Sequence, residues 1–153
     1  MLGISRQTDY AVRVVLHLAC LDEGAQVSIA EISESRDLPM PFVRRLIKPL
    51  LTRGILASTR GTAGGIRLAK PAGEISLLEV VGAMEGGMAL NHCVDDHKGC
   101  PMADTCPVQS VWAGATRALQ DHLAGVRFDA LALGPDGHVV AHRDLSRARA
   151  ARA

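Results

Sequence analysis

Three of the chain's four cysteines, Cys93, Cys100 and Cys106, fall within fourteen residues. Six residues separate the first two and five separate the last two. Neighbouring thiolates suit three chemistries: an iron–sulfur cluster, a zinc or other single metal ion, or a metal-free thiol redox switch. Structural zinc favours paired Cys-x-x-Cys knuckles, which this spacing lacks. A wide loop around a larger cluster fits the spacing better. As a metal site, three thiols are one short of a four-ligand set and look like an incomplete set that borrows its last ligand from elsewhere. His92 and His97 stand beside and within the loop, and imidazole is a competent ligand, although a loop histidine is also an ordinary solvated side chain. Cys20 stands apart in an apolar helical stretch and reads as a small buried hydrophobe.

The second chemical signal is the distribution of charge. A net charge of +1 hides a run from Pro39 to Lys70 that holds seven basic residues and no acidic one. From Gly73 to Ser110 there are six acidic residues and one basic, Lys98. Such segregation gives one surface to a polyanion and keeps another away from it.

These groups need a scaffold. A length of 153 residues with 48% hydrophobic and 22% charged residues supports one domain, or one with an appendage. Aromatics are only 3%, so the core must be aliphatic. No apolar run approaches the roughly 18 residues that cross a membrane, and the N-terminal stretch lacks a secretory pattern. A cytoplasmic protein is expected, and there clustered cysteines are more often metal or redox ligands than structural disulfides.

Periodicity predicts a helix over Thr8 to Leu21, with Tyr10, Ala11, Val14, Val15, Leu18 and Leu21 on one stripe. Ser28 and Glu31 form a capping-box pair opening a short helix to about Arg36. Asp37-Leu38-Pro39 turns the chain into a third helix that runs to about Arg53, with Pro41 in its first turn, Gly54 past its end and Pro49 expected to kink it. Ile55–Thr59 and Ile66–Ala69 read as strands around a glycine-rich turn. Ser76 and Glu79 make a second capping box, for a helix ending at Gly86-Gly87. The cysteine segment reads as irregular. A long helix then runs from Pro107 to Ala124, striped by Val108, Val111, Trp112, Ala115, Leu119 and Leu123, with Trp112 as core or interface. Phe128 to Leu133 adds a last helical turn.

Helix, short helix, helix and hairpin is the order of a winged helix-turn-helix, mainly α with a small β-hairpin wing. Residues 1–72 would form the DNA-binding domain, and residues 73–133 a helix, the cysteine loop and a long C-terminal dimerisation helix. Residues 134–153 would be a mobile basic tail. The third helix carries Arg44, Arg45 and Lys48, and a helix fits the major groove of double-stranded DNA. Arg60 sits at the wing with Gly61, Gly64 and Gly65, which let the backbone approach DNA closely. Arg67 and Lys70 also suit plain exposed wing charges. No convergent acid, base and nucleophile set stands out, so an enzyme is not expected.

Thr8-Asp-Tyr-Ala-Val-Arg13, Arg60-Gly-Thr-Ala-Gly-Gly-Ile-Arg-Leu68 and Ile75-Ser-Leu-Leu-Glu-Val-Val81, followed by the cysteine trio, resemble the IscR/NsrR/RirA family of bacterial winged-helix transcription regulators. The resemblance covers residues 1 to about 133. It implies a homodimer with crossing C-terminal helices on a pseudo-palindromic operator. It further implies an iron–sulfur cluster (2Fe–2S or 4Fe–4S) on three cysteines, whose state sets DNA affinity. The fourth ligand differs between branches. Asp9 occupies the place of an aspartate that ligates from the other subunit in the NsrR branch. Gln109 stands where the IscR branch has histidine, and Leu46-Ile-Lys-Pro-Leu50 is similar to RirA. The first cysteine gap is longer than is usual in the family.

The expectation is therefore a dimeric regulator, in the sense of a repressor, that responds to iron, nitric oxide or redox state. A thiol-switch regulator without a cluster is the alternative in the same class. A small Fe–S electron carrier or scaffold is a further one, but it has no use for the acid-free stretch.

Overall fold

Ser5 starts the first helix, its hydroxyl accepting the Thr8 amide at 3.2 Å. In this computed structural model, which describes residues 3–61, 64–95, 102 and 105–133, helix α1 spans Arg6–Ala19. Periodicity placed its start near Thr8 because the first turn is polar; the Ser5 cap extends it. Its end comes earlier than Leu21, so Cys20 is the C-cap and half-buried rather than enclosed within the helix. Ala11, Val14 and Val15 are fully buried.

Helix α2 is Ile29–Arg36, and Ser28 Oγ accepts from the Glu31 amide at 3.1 Å. Asp37 ends it in the left-handed region at φ 49°, which a short polar side chain tolerates. The Leu38 amide donates to the Ser33 carbonyl at 3.0 Å, and Ser33 Oγ donates to the Leu38 carbonyl at 2.6 Å. These bonds fix the turn, and buried Leu38 pins it to the core. Helix α3 follows over Met40–Thr52, with Pro41 in its first turn and Pro49 inside. Val43, Leu46, Ile47 and Leu50 face inward, leaving Arg44, Arg45 and Lys48 exposed.

Strands β1 (Leu56–Thr59) and β2 (Gly65–Leu68) pair antiparallel, Leu56 opposite Leu68 and Thr59 opposite Gly65. Val27, just before α2, adds a bridge to Ile66 through bonds of 3.0 and 2.9 Å. The wing is thereby tied to the helical head. After a 3-10 turn at Ala72–Glu74, the full reciprocal capping box of Ser76 and Glu79 opens α4 (Leu77–Glu85).

The cysteine segment is less irregular than expected: His92–Asp95 forms a one-turn helix, α5, carrying Cys93. Helix α6 runs over Gln109–Gly125 and α7 over Phe128–Leu133. The chain returns to the base of α4, with the Phe128 amide on the Ile75 carbonyl at 3.1 Å and the Leu77 amide on the Val126 carbonyl at 2.9 Å. Phe128 is completely buried, worth about 1.5–3 kcal/mol of transfer free energy. It joins Ile75 and Val80 in the same cluster as Val14, Leu46 and Ile66, so one core runs from the head into the C-terminal half. The expectations for residues 134–153 lie outside the described residues.

Candidate nucleic-acid interface and cysteine loop

The inward stripe of α3 decides what its other faces do. Arg44, Arg45 and Lys48 are exposed and lie together on the outward side, with no acidic residue in the helix. Phe42 is 38% exposed beside them, off the buried stripe. The Arg45 guanidinium lies over its ring at 5.2 Å from the centroid. From α1, Tyr10 meets Phe42 edge-on, centroids 6.1 Å apart at 85°, and Arg13 lies 5.7 Å from the Tyr10 centroid. The sequence pattern did not single out Phe42. Its signal was available: an aromatic residue off the Val43-Leu46-Ile47-Leu50 stripe, in a chain with only four aromatics.

In the wing, Arg60 is exposed and Gly61 has φ +115°, a conformation that glycine accepts freely. The Gly64 amide closes the turn on the Gly61 carbonyl at 3.0 Å. Gly64 and Gly65 have a reason for being glycine within the protein itself. A Cβ would lie 2.1 Å from the Thr59 carbonyl oxygen at Gly64 and 2.9 Å from that of Val27 at Gly65. Of the other basic residues, Lys70 pairs with Glu79 at 2.7 Å, and Arg67 donates to the Leu68 carbonyl at 3.0 Å. Burial alone would raise the Glu79 carboxyl, but the Lys70 ammonium together with the Ser76 amide and hydroxyl outweighs it and holds the group below its ordinary value.

Two of the three loop thiols can be placed. Cys93 on α5 and Cys106 just before α6 are half-buried and free of any disulfide. Cys100 and His97 lie outside the described residues, and His92 is exposed. The Cys106 amide donates to the Met102 carbonyl at 2.9 Å, and the Gln109 amide to the Cys106 carbonyl at 3.2 Å. Between Gly87 and Leu90 the chain is strapped to α6: the Leu90 amide donates to buried Thr116 Oγ1 at 3.1 Å, and Gln120 Nε2 to the Met88 carbonyl at 2.8 Å. A cleft of about 420 Å³ lies against this strap, bordered by Met88, Val94, Asp95, Gln109 and Arg117.

The donor chemistry fits a thiolate-held metal group, because the two described thiols are unpaired and partly accessible. Among the described residues no three His, Cys, Asp or Glu side chains converge, and a metal group on those two thiols would need further ligands. Asp9 is exposed on α1 and paired with Arg13 at 2.8 Å.

The end of α4, just before the loop, is nonetheless joined to α1. Glu85, the last residue of α4, accepts from the Thr8 hydroxyl and from the Ser5 amide at 3.2 Å. The Thr8 and Ser5 hydroxyls depress its carboxyl below the ordinary range. Val108 just before α6, and Val111 and Trp112 on it, are exposed by 47, 62 and 38%, so the predicted stripe is not core in a single chain. No helix among the described residues is long and apolar enough to cross a membrane.

A helical head with a basic third helix, a glycine-tipped hairpin and, beyond it, a helix with an uncovered apolar patch at its start defines a winged helix-turn-helix protein. Residues 4–133 match the Rrf2 family, described as iron-dependent transcriptional regulators. The chain belongs to that family and is a DNA-binding transcription regulator. It is 32% identical over 130 residues to the protein aau3 of Rhizobium meliloti (strain 1021), across 84% of this chain and 83% of that one. It is 34% identical over 116 residues to the HTH-type transcriptional regulator IscR of Cronobacter sakazakii (strain ATCC BAA-894), across 76% and 68%.

Solved structures share the fold. CymR, the global cysteine regulator of B. subtilis, superposes with a TM-score of 0.69 at 22% identity, over 86% of this chain and 96% of that one. T. potens IscR gives 0.67 at 24%, over 85% and 86%. The oxidized form of Staphylococcus aureus CymR gives 0.64 at 26%, over 85% and 95%.

Proposed function

We propose that this Rrf2-family regulator acts in the cytoplasm as a homodimeric repressor on a pseudo-palindromic operator and senses iron, nitric oxide or redox state through an iron–sulfur cluster. Cys93, Cys100 and Cys106 would hold the cluster, with Asp9 of the partner subunit as fourth ligand. Such a cluster supplies a group that oxidant, nitric oxide or iron shortage can alter. Arg44, Arg45 and Lys48 would enter the major groove. Arg60, Gly61, Gly64 and Gly65 would bring the wing to the DNA backbone. The exposed apolar patch of Val108, Val111 and Trp112 at the start of α6 would meet its copy.

The observation that carries the reading is the Glu85 clamp. It fixes the end of α4, one residue before the loop begins at Gly86, to the first turn of α1, where Asp9 lies. A change in the order of the loop would then reach the head through these bonds. The test is anaerobic purification with visible absorption and iron and sulfide analysis, comparing wild type with Cys93→Ala. The reading expects a coloured wild-type protein and a colourless variant; colourless wild type with no bound iron rejects it.

The second reading is a thiol switch without a cluster. It is favoured by the unpaired state of Cys93 and Cys106 and by the likeness to an oxidized CymR. It expects iron-free protein whose DNA affinity changes with thiol oxidation and recovers on reduction.

A further inference from the structure

Asp9, Arg13, Tyr10, Phe42 and Arg45 make one unbroken chain of contacts across the gap between α1 and α3. The Asp9 carboxylate holds the Arg13 guanidinium at 2.8 Å. Arg13 covers the Tyr10 ring at 5.7 Å, and Tyr10 stands edge-on to Phe42 at 6.1 Å. Phe42 is the floor on which Arg45 rests at 5.2 Å. Each separation is within reach of a cation–π or T-shaped aromatic contact.

A phenylalanine left 38% exposed on the basic face of a DNA-reading helix is not wholly accounted for by the core. What it does gain is a stacked guanidinium. A free arginine side chain carries large rotamer entropy, and ordering its planar fork in advance lowers the cost of placing it on a base edge or phosphate.

We infer that Phe42 and Tyr10 are positioning residues that hold Arg45 for DNA, and that Arg13 connects this stack to Asp9. The Asp9 half of the inference rests on the proposed ligand role of Asp9; the Phe42–Arg45 half does not. Arg13 has two partners, a carboxylate and a ring. Drawing Asp9 away leaves the guanidinium anchored only by Tyr10, and the disturbance passes through the two rings to Arg45. The path is one of packed contacts, so it is established by coupling energies rather than by proximity.

The experiment uses the full chain, prepared cluster-free, and a duplex enriched from a random pool by wild-type protein. Fluorescence anisotropy gives its affinity over a range of salt. Phe42→Leu and Tyr10→Leu remove no charge. Each is expected to weaken binding about two- to fivefold, the range of an exposed cation–π contact, with the salt slope unchanged. Phe42→Tyr, which keeps the ring, should restore wild-type affinity. In an Arg45→Ala background Phe42→Leu should have no further effect, and Asp9→Asn should change affinity less in Phe42→Leu protein than in wild type.

Equal effects of Phe42→Leu with and without Arg45 overturn the positioning role. Equal effects of Asp9→Asn with and without the Phe42 ring overturn the link to Asp9. Since the protein is cluster-free, these couplings persist if the chain proves never to hold a cluster, so the two readings fail separately. Failure of wild type to enrich any duplex overturns both.

Discussion

Glu85 at the end of α4 accepts a hydrogen bond from the hydroxyl of Thr8 in the first turn of α1, seventy-seven residues earlier in the chain. Thr8 is completely buried, and the Ser5 amide donates to the same carboxylate oxygen. A carboxylate facing the first turn of a helix also meets its unpaired amides and positive end. The clamp therefore joins the element before the cysteine loop to the element that carries Asp9.

Thr8→Val keeps the shape and removes the donor. It should destabilise the fold by about 0.5–1.5 kcal/mol at neutral pH in urea denaturation, because the exposed Glu85 carboxylate can turn to water. The bonds favour the charged carboxylate, so the folded Glu85 value is depressed. Its stabilisation is complete above the ordinary carboxylate range and is lost as pH falls through the depressed value. The gap between wild type and Thr8→Val should narrow in acid; a gap that widens there would exclude the charged clamp.

On the DNA face, Arg44→Ala, Arg45→Ala and Lys48→Ala should each weaken binding. A residue on a phosphate should lower the slope of log affinity against log salt by about 0.9, uniformly across sequences. One that reads guanine should also relax base preference by about 1–3 kcal/mol at one position. Binding profiles against a panel of duplexes separate the two. Unchanged affinity in all three variants would remove α3 as the reading helix.

The wing glycines should be intolerant for a steric reason. Gly64→Ala places a methyl 2.1 Å from the Thr59 carbonyl oxygen, and backbone must move to admit it. A loss of about 1–3 kcal/mol is expected, as for other overpacked sites. Gly82→Ala in α4 meets nothing within 4 Å and should stabilise by about 0.5–1 kcal/mol. Thermal unfolding of both variants checks the contrast.

Trp112 and Val111 are exposed on α6 in the single chain. Val111→Asp should shift the protein to monomer in sedimentation experiments, because a charge in an apolar interface is costly to desolvate. A dimer of unchanged strength would place the interface elsewhere.

Much of this arrangement is legible in the residues, and the exceptions have physical causes. Ser76 and Glu79 announce a capping box that forms in full, and Gly86 ends α4 in the left-handed region as a terminal glycine does. The Val43-Leu46-Ile47-Leu50 stripe fixes which side of α3 faces out. The start of α1 is not legible from apolar spacing, because Ser5, Arg6 and Gln7 are polar and the cap alone defines it. Nor is the ladder from Arg13 to Arg45, since it joins residues from two helices whose separation only the packed fold sets. The clamp of Glu85 on Thr8 is hidden for the same reason. From the sequence, Gly64 and Gly65 read as glycines that let the backbone approach DNA, while their packing against Thr59 and Val27 depends on the strand register and the Val27 bridge.

The central claim is that the state of the cysteine loop sets DNA affinity. Its most direct test is one titration of a wild-type-enriched duplex, by fluorescence anisotropy, with anaerobically purified protein before and after chelation of its iron. The account predicts an affinity change of at least about tenfold, or about 1.4 kcal/mol, that is absent in Cys93→Ala. Identical affinities before and after chelation, or an equal change in Cys93→Ala, would contradict it.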